Sequence, residues 1–220
     1  FYFADPPLAP SYASLWTVDW DWSAMTPRRF ERLLVEYADW VAQMPGRHFS
    51  LLKLQHVAAG RISMILQVAS RPGADLEAHL TEAGSTVTAA QRRFRSAGPV
   101  AVGRQSVQHL TFLESIWTLN GNGPNQFGKY KSSYLTGAMP ADQVAATYQW
   151  LRTCPPGVAL SDMAQSLVQV DSYGGAINRV APTATAVPQR SSLLKLQFQT
   201  YWNNASRVGQ ADQGHAAVQE

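Results

Sequence analysis

Gln169, Asp171 and Tyr173 alternate along the segment Val168-Gln169-Val170-Asp171-Ser172-Tyr173, directly before Gly174-Gly175. On an extended strand, side chains two apart share a face, so the amide, the carboxylate and the phenol point the same way. A carboxylate beside a phenol can hold or pass a proton, and a glycine pair lets another group approach bare backbone. These residues alone allow two readings. In one, the segment is a pocket wall, with Asp171 and Tyr173 as its chemistry and close approach at Gly174 and Gly175. In the other, it is a bulge at the end of a sheet strand, with Asp171 solvated and Tyr173 capping the core.

Two further stretches could complete such a wall. Lys129, Lys131 and Ser133 share one face of a strand whose other face carries Tyr130, Ser132 and Tyr134, and only one set can face the pocket. A phenol titrates near 10 when unperturbed, so as a base it needs help. A cation on an adjacent strand, such as Lys131, would lower that value, and Asp171 could instead orient a phenol through a hydrogen bond. Gln197 and Gln199 alternate with Leu196 and Phe198. The glutamines then either line the pocket or simply face solvent.

The elements that must position these residues are mostly legible. Residues 14–20 alternate as a strand. Thr26 is an N-cap with Pro27 at the first helical position, and the helix runs to about Gln43 with an apolar stripe of Phe30, Leu33, Leu34, Tyr37 and Val41. Phe49–Val57 and Arg61–Ala69 flank Ala58-Ala59-Gly60 as a hairpin. Residues 74–94 read as a helix with Leu76, Leu80, Val87 and Phe94 inward. Residues 98–126 are the least legible, with a short helix near Leu110–Thr118 and an Asn/Gly loop at 120–125. Strands follow at Lys129–Leu135, Ala164–Tyr173 and Leu193–Trp202, with a helix at Ala141–Arg152. Antiparallel returns with helices between them predict an α+β fold, one large antiparallel sheet covered on one face by helices.

Composition narrows the function classes. Apolar residues make up 45% of the 220 and charged residues 15%, which suits a globular domain with much buried surface. No apolar run approaches the roughly 20 residues of a bilayer span, so no membrane partner is expected. Net charge is only +3, and the cluster Arg92, Arg93, Arg95 and Arg104 lacks interleaved aromatics, so no nucleic-acid partner is expected either. The lone Cys154 excludes an internal disulfide, and five histidines show no ligand spacing, so no metal is expected. Compartment stays open between cytoplasm and secretion.

Four words then stand in register. They are Gly128-Lys129-Tyr130-Lys131-Ser132-Ser133-Tyr134-Leu135, Asp171-Ser172-Tyr173-Gly174-Gly175, Val187-Pro188-Gln189-Arg190 and Leu194-Lys195-Leu196-Gln197-Phe198-Gln199-Thr200-Tyr201-Trp202. In this order and spacing they resemble the berberine bridge enzyme-like family, FAD-linked oxidases of the vanillyl-alcohol oxidase (PCMH-type) superfamily. The opening Leu15-Trp16-Thr17-Val18-Asp19-Trp20-Asp21-Trp22, with a following helix carrying Phe30 and Trp40, is similar to the start of that family's substrate domain. The resemblance is loosest over residues 71–118.

The resemblance implies a sheet arched over a flavin ring, an FAD cofactor attached covalently in the complete protein, and oxidation of a hydroxyl group. The substrate would be a small molecule such as a sugar, oligosaccharide or glycosylated natural product, with hydride passing to flavin N5 and O2 as acceptor. Residues 1–13 would be a strand end and Pro-rich link from an FAD-binding domain, 14–204 the substrate domain, and 205–220 the start of a helix. The family's Gly-rich dinucleotide half, its flavin-attaching histidine and cysteine, and its C-terminal catalytic tyrosine have no counterpart here, so this piece alone is expected to be inactive. Asp171 matches the acid that, in oligosaccharide-oxidising members, hydrogen-bonds that tyrosine. Tyr173 matches the active-site tyrosine of members that oxidise sugars on natural products. Lys131 holds the K-S-x-Y position and is expected to face substrate with Gln169, Gln197 and Gln199, while Gly174 and Gly175 give the cofactor room. Bridge-forming members use a glutamate base, and these strands carry no Glu. The rival expectation is a non-catalytic α+β ligand-binding domain that has lost the flavin half.

Overall fold

A computed structural model of the chain describes residues 8–97, 104–120 and 126–202; the strand tail expected at residues 1–3, most of the Asn/Gly loop and the helix expected over 205–220 lie outside them. Seven strands form one antiparallel sheet: β1 (Tyr12–Asp21), β2 (Phe49–Gln55), β3 (Arg61–Ala69), β4 (Gln105–Thr111), β5 (Phe127–Leu135), β6 (Ser166–Ser172) and β7 (Leu194–Trp202). Their spatial order is β4-β1-β3-β2-β6-β7-β5, which leaves β4 and β5 at the edges. The helices are α1 (Pro27–Gln43), α2 (Leu76–Ala97), α3 (Phe112–Asn120) and α4 (Ala141–Trp150).

Helix α1 begins where its cap dictates, with Thr26 Oγ1 accepting the Arg29 N–H at 3.3 Å and Pro27 in the first turn. Its whole expected stripe is buried, joined by Ala38. Register carries the same alternation across the sheet: Trp20 lies beside Ile62, Trp16 beside Leu66, Met64 beside Leu52, Leu52 beside Val170, and Val170 beside Leu196. These residues form one buried face. Helices α1, α2 and α4 cover it. The Tyr37 hydroxyl donates to the Val170 carbonyl at 3.1 Å, Phe94 meets the Trp20 ring edge-on, and Tyr148 packs on Trp22 and Phe30. Tyr37 thereby ties α1 to the strand that bears Asp171.

Two expectations need correction. Leu76 and Leu80 are exposed, whereas His79, Ala83, Val87, Ala90 and Phe94 are buried. The buried stripe drifts around α2, and its first turn offers a histidine to the sheet in place of leucine. Residues 105–111 are a strand that the sequence did not announce. Among the described residues strand β4 pairs only with β1, and it is exposed along nearly its whole length, so no apolar alternation marks it. Helix α3 lies on the face opposite the other helices, where Gln67 donates to Ser115 Oγ at 2.7 Å, and it shields the β1–β4 end. Helix α3 packs against β1 and β4, at one end of that face, while α1, α2 and α4 lie on the other.

Candidate active site

The face opposite α1, α2 and α4 is where the expected residues converge. Asp171 lies beside Lys195 on β7 and Leu51 on β2, and Gln169 lies beside Gln197 and Lys53. Gln169 Nε2 donates to Asp171 Oδ1 at 2.8 Å, and Gln197 Nε2 donates to Oδ2. The network continues outward: Gln199 Nε2 donates to Gln197 Oε1 at 3.3 Å, and the Tyr201 hydroxyl donates to Gln199 Oε1 at 3.2 Å. Every hydrogen in this chain is aimed toward one carboxylate, and such networks reinforce themselves away from water. Asp171 is 8% exposed. Burial pushes its carboxyl above the usual range, while the two amides and the charges of Lys195 and Lys53 pull against that shift.

Tyr173 follows the end of β6, where its N–H donates to the Leu193 carbonyl at 2.8 Å. Its ring meets Tyr134 edge-on at 5.1 Å. Tyr134 lies opposite Lys195 and therefore on the Asp171 face. A cleft of about 250 Å³ opens next to Tyr173, lined by Met44, Gly46, His48 and Gly174 among others.

Lys131 does not join this group. It pairs with Phe198, which is opposite Val168, so it stands on the helix side of the sheet, at an exposed edge. The register of β5 brings Tyr130, Ser132 and Tyr134 to the Asp171 face in its place. The cations that face does carry are Lys53 and Lys195, which the sequence reading passed over. A lone lysine within the apolar run Leu51-Leu52-Lys53-Leu54 was the available signal.

The glycine pair also has a different explanation. Gly174 and Gly175 have φ of +129° and +56°, and a Cβ on Gly175 would lie 3.0 Å from the Gly46 Cα. A Cβ on Gly174 would lie 3.1 Å from the Ser192 carbonyl oxygen. The close approach is made by the chain's own α1–β2 loop and β7 lead-in, which explains both glycines without an outside group. Gly175→Ala is therefore expected to destabilise the fold by about 2 kcal/mol through a backbone clash and a left-handed alanine. Thermal unfolding of the variant checks this, and an unchanged melting temperature would return the pair to a ligand role.

Arg190, two residues after Pro188, fixes the turn. It donates from Nη2 to Thr185 Oγ1 at 2.6 Å and from Nη1 to the Ile177 carbonyl at 3.3 Å. Among the described residues no group of His, Cys, Asp and Glu could hold a metal ion, and no helix is long and apolar enough to cross a membrane.

No protein-family model matches the chain. It is 29% identical to a hexose oxidase of Chondrus crispus over 94% of its own length and 42% of that protein. An aclacinomycin-N/aclacinomycin-A oxidase of Streptomyces galilaeus is 30% identical over 89% of the chain and 34% of that protein. A berberine bridge enzyme-like protein of Cynodon dactylon, Cyn d 4, is 36% identical over 34% of the chain and 13% of that protein. Among solved structures, the glycopeptide hexose oxidase DBV29 in complex with teicoplanin superposes with a TM-score of 0.73 at 25% identity, over 95% of this chain and 41% of that one. CrmK, a flavoenzyme of caerulomycin biosynthesis, shares the fold with a TM-score of 0.77 at 23% identity, over 96% of this chain and 42% of that one. The chain thus spans about two fifths or less of the length of these relatives.

Proposed function

We propose that residues 14–204 are the substrate-side domain of a berberine bridge enzyme-like FAD-linked oxidase, a family to which the chain belongs through a hexose oxidase and an aclacinomycin oxidase that match it over nearly its whole length and a berberine bridge enzyme-like protein that matches about a third of it. The domain's substrate is a hydroxyl-bearing small molecule, a sugar, oligosaccharide or glycosylated natural product. One observation carries the reading: on the sheet face opposite α1, α2 and α4, a buried carboxylate is held from both sides by glutamine amides, with a phenol at the same strand end.

The donor set fits the substrate side of a flavin site. It has a fixed carboxylate, phenols and amides, all suited to hydroxyl groups, and its positive-φ glycines beside Tyr173 are used by the chain itself. Nothing among the described residues resembles a cradle for the pyrophosphate, so that grip belongs, in this reading, to other parts of the protein. Bound flavin supplies the hydride acceptor. The chain's own residues bind and orient. Gln169 and Gln197 hold Asp171 in one rotamer, so that its acceptor strength is fixed before substrate arrives. Tyr134 braces the Tyr173 ring. Tyr173 and Asp171 are the groups proposed to hold the substrate hydroxyl and receive its proton, with Gln169, Gln197 and Gln199 positioning the remaining hydroxyls. Lys131, at the exposed edge, has no part in this arrangement.

The test uses the full natural protein. It is expected to carry flavin absorbance and to consume O2 when given hexoses or hexosides. A full-length species purified without flavin, or a flavoprotein inert toward every hydroxylated substrate tried, sinks the reading.

A further inference from the structure

Asp171 is bracketed by two lysines that it does not pair with. Lys195 is its direct cross-strand neighbour, and Lys53, beside Gln169, is its diagonal neighbour on β2. Such positions set Cβ atoms roughly 5 and 7 Å apart, well inside the reach of a lysine stem. Yet neither ammonium comes within ion-pair distance of a carboxylate among the described residues. Each carboxylate oxygen instead accepts a glutamine amide. Arg61, the next cation along this face, has Asp19 at 3.9 Å. Positive charge is therefore left in excess around one carboxylate.

An ammonium withdrawn from water without a counter-ion is costly unless something supplies one. Lys53 is half-buried, and burial pulls its pKa below the ordinary lysine value despite the attraction of Asp171. Its side chain keeps partial exposure to solvent. Around them the face offers the neutral hydrogen-bonding groups Gln169, Gln197, Ser132 and Tyr134 beside apolar Leu51 and Leu167, and none of these matches the lysines. A neutral sugar would leave them unmatched too.

We propose that the Asp171 face takes a sugar or glycoside bearing an anionic group, with Lys53 and Lys195 as the receivers of that group. The identity of the site as a substrate site rests on the oxidase reading; the charge selectivity does not. Carboxylate, sulfate and phosphate share this chemistry of two ammonium contacts.

The experiment titrates the full chain at low salt with glucuronate, glucose 6-sulfate and glucose 6-phosphate, against glucose and the methyl ester of glucuronate as neutral controls. At least one anionic sugar is expected to bind about tenfold or more tightly than the controls, as one charge-assisted contact provides. Which of the three does so identifies the source. The preference should weaken as salt is raised. Lys53→Met is expected to abolish most of it and Lys53→Arg to keep it, with melting curves confirming that each variant is folded. Lys195→Met supplies the same readout if Lys53→Met does not fold. Equal affinity for charged and neutral sugars, no binding of either, or an undiminished preference in both methionine variants overturns the proposal. Failure of the oxidase reading would appear elsewhere, as a natural protein without flavin, since this titration reads no turnover.

Discussion

Asp171→Asn in the full natural protein is expected to lower turnover by about a hundredfold or more while leaving the fold intact, the range seen when a group handling a transferred proton is lost. The substitution keeps the shape and removes the charge. One of its two contacts then sets an amide NH2 against a glutamine NH2, so Gln169 or Gln197 must turn its carbonyl inward, and where Gln197 turns, the alignment of the network along β7 goes with it. Stability should change little, because an ionised carboxylate at 8% exposure resists burial and its removal relieves that cost. Tyr173→Phe is the companion: it keeps the edge-on contact with Tyr134 and deletes only the hydroxyl. A comparable fall in kcat with an unchanged melting temperature is expected. Two outcomes would remove the pair from the chemistry: full turnover in both variants, or activity lost only in step with folded protein.

How much of this site could be read from sequence depends on register. Alternation alone aligned Gln169 with Asp171, and Gln197 with Gln199, because each pair lies on one strand with no bulge between them. It could not say which face of β5 would meet them. A slip of one residue flips every side chain, and the pairing of Ser132 with Gln197, not of Lys131, is a fact of the assembled sheet. Lys53 lay hidden for the same reason, since its partnership with Gln169 joins residues more than a hundred apart in the chain. The glycine pair was legible as a close approach, but the identity of the visitor, Gly46, is tertiary information.

The fold was more legible than the site wherever one element carried its own punctuation. Thr26-Pro27 started α1, and Gly60, in the left-handed region at φ +77°, closed the β2–β3 hairpin. Strand β4 had no such mark. It contributes backbone hydrogen bonds to β1 and almost no buried side chain, so its sequence is free of pattern.

Acidification between about pH 6.5 and pH 4 is expected to cost the fold up to about 3 kcal/mol through one residue, His48. Burial, with the nearby charges of Arg47 and His79, pulls its pKa down to about 4. In the unfolded chain it titrates near its ordinary value of 6.5. Between these values the unfolded state binds a proton that the folded state refuses, so stability falls as pH falls and levels off below about 4. His56 and His79 are shifted down by burial as well and add to the same limb. Asp171 acts with the opposite sign, since a raised carboxyl takes up its proton more readily when folded. The variant that isolates His48 is His48→Leu. Both ring nitrogens are buried without a hydrogen-bond partner among the described residues, so the leucine forfeits no described bond and removes two unpaired polar atoms. It should match or exceed the native protein at neutral pH and lose less stability on acidification. Melting curves from pH 8 to pH 4 check both parts. An acid limb as steep in His48→Leu as in the native protein would mean that the destabilising proton goes elsewhere, and the carboxylates held low by hydrogen bonds, Asp21 and Glu114, would be next to examine.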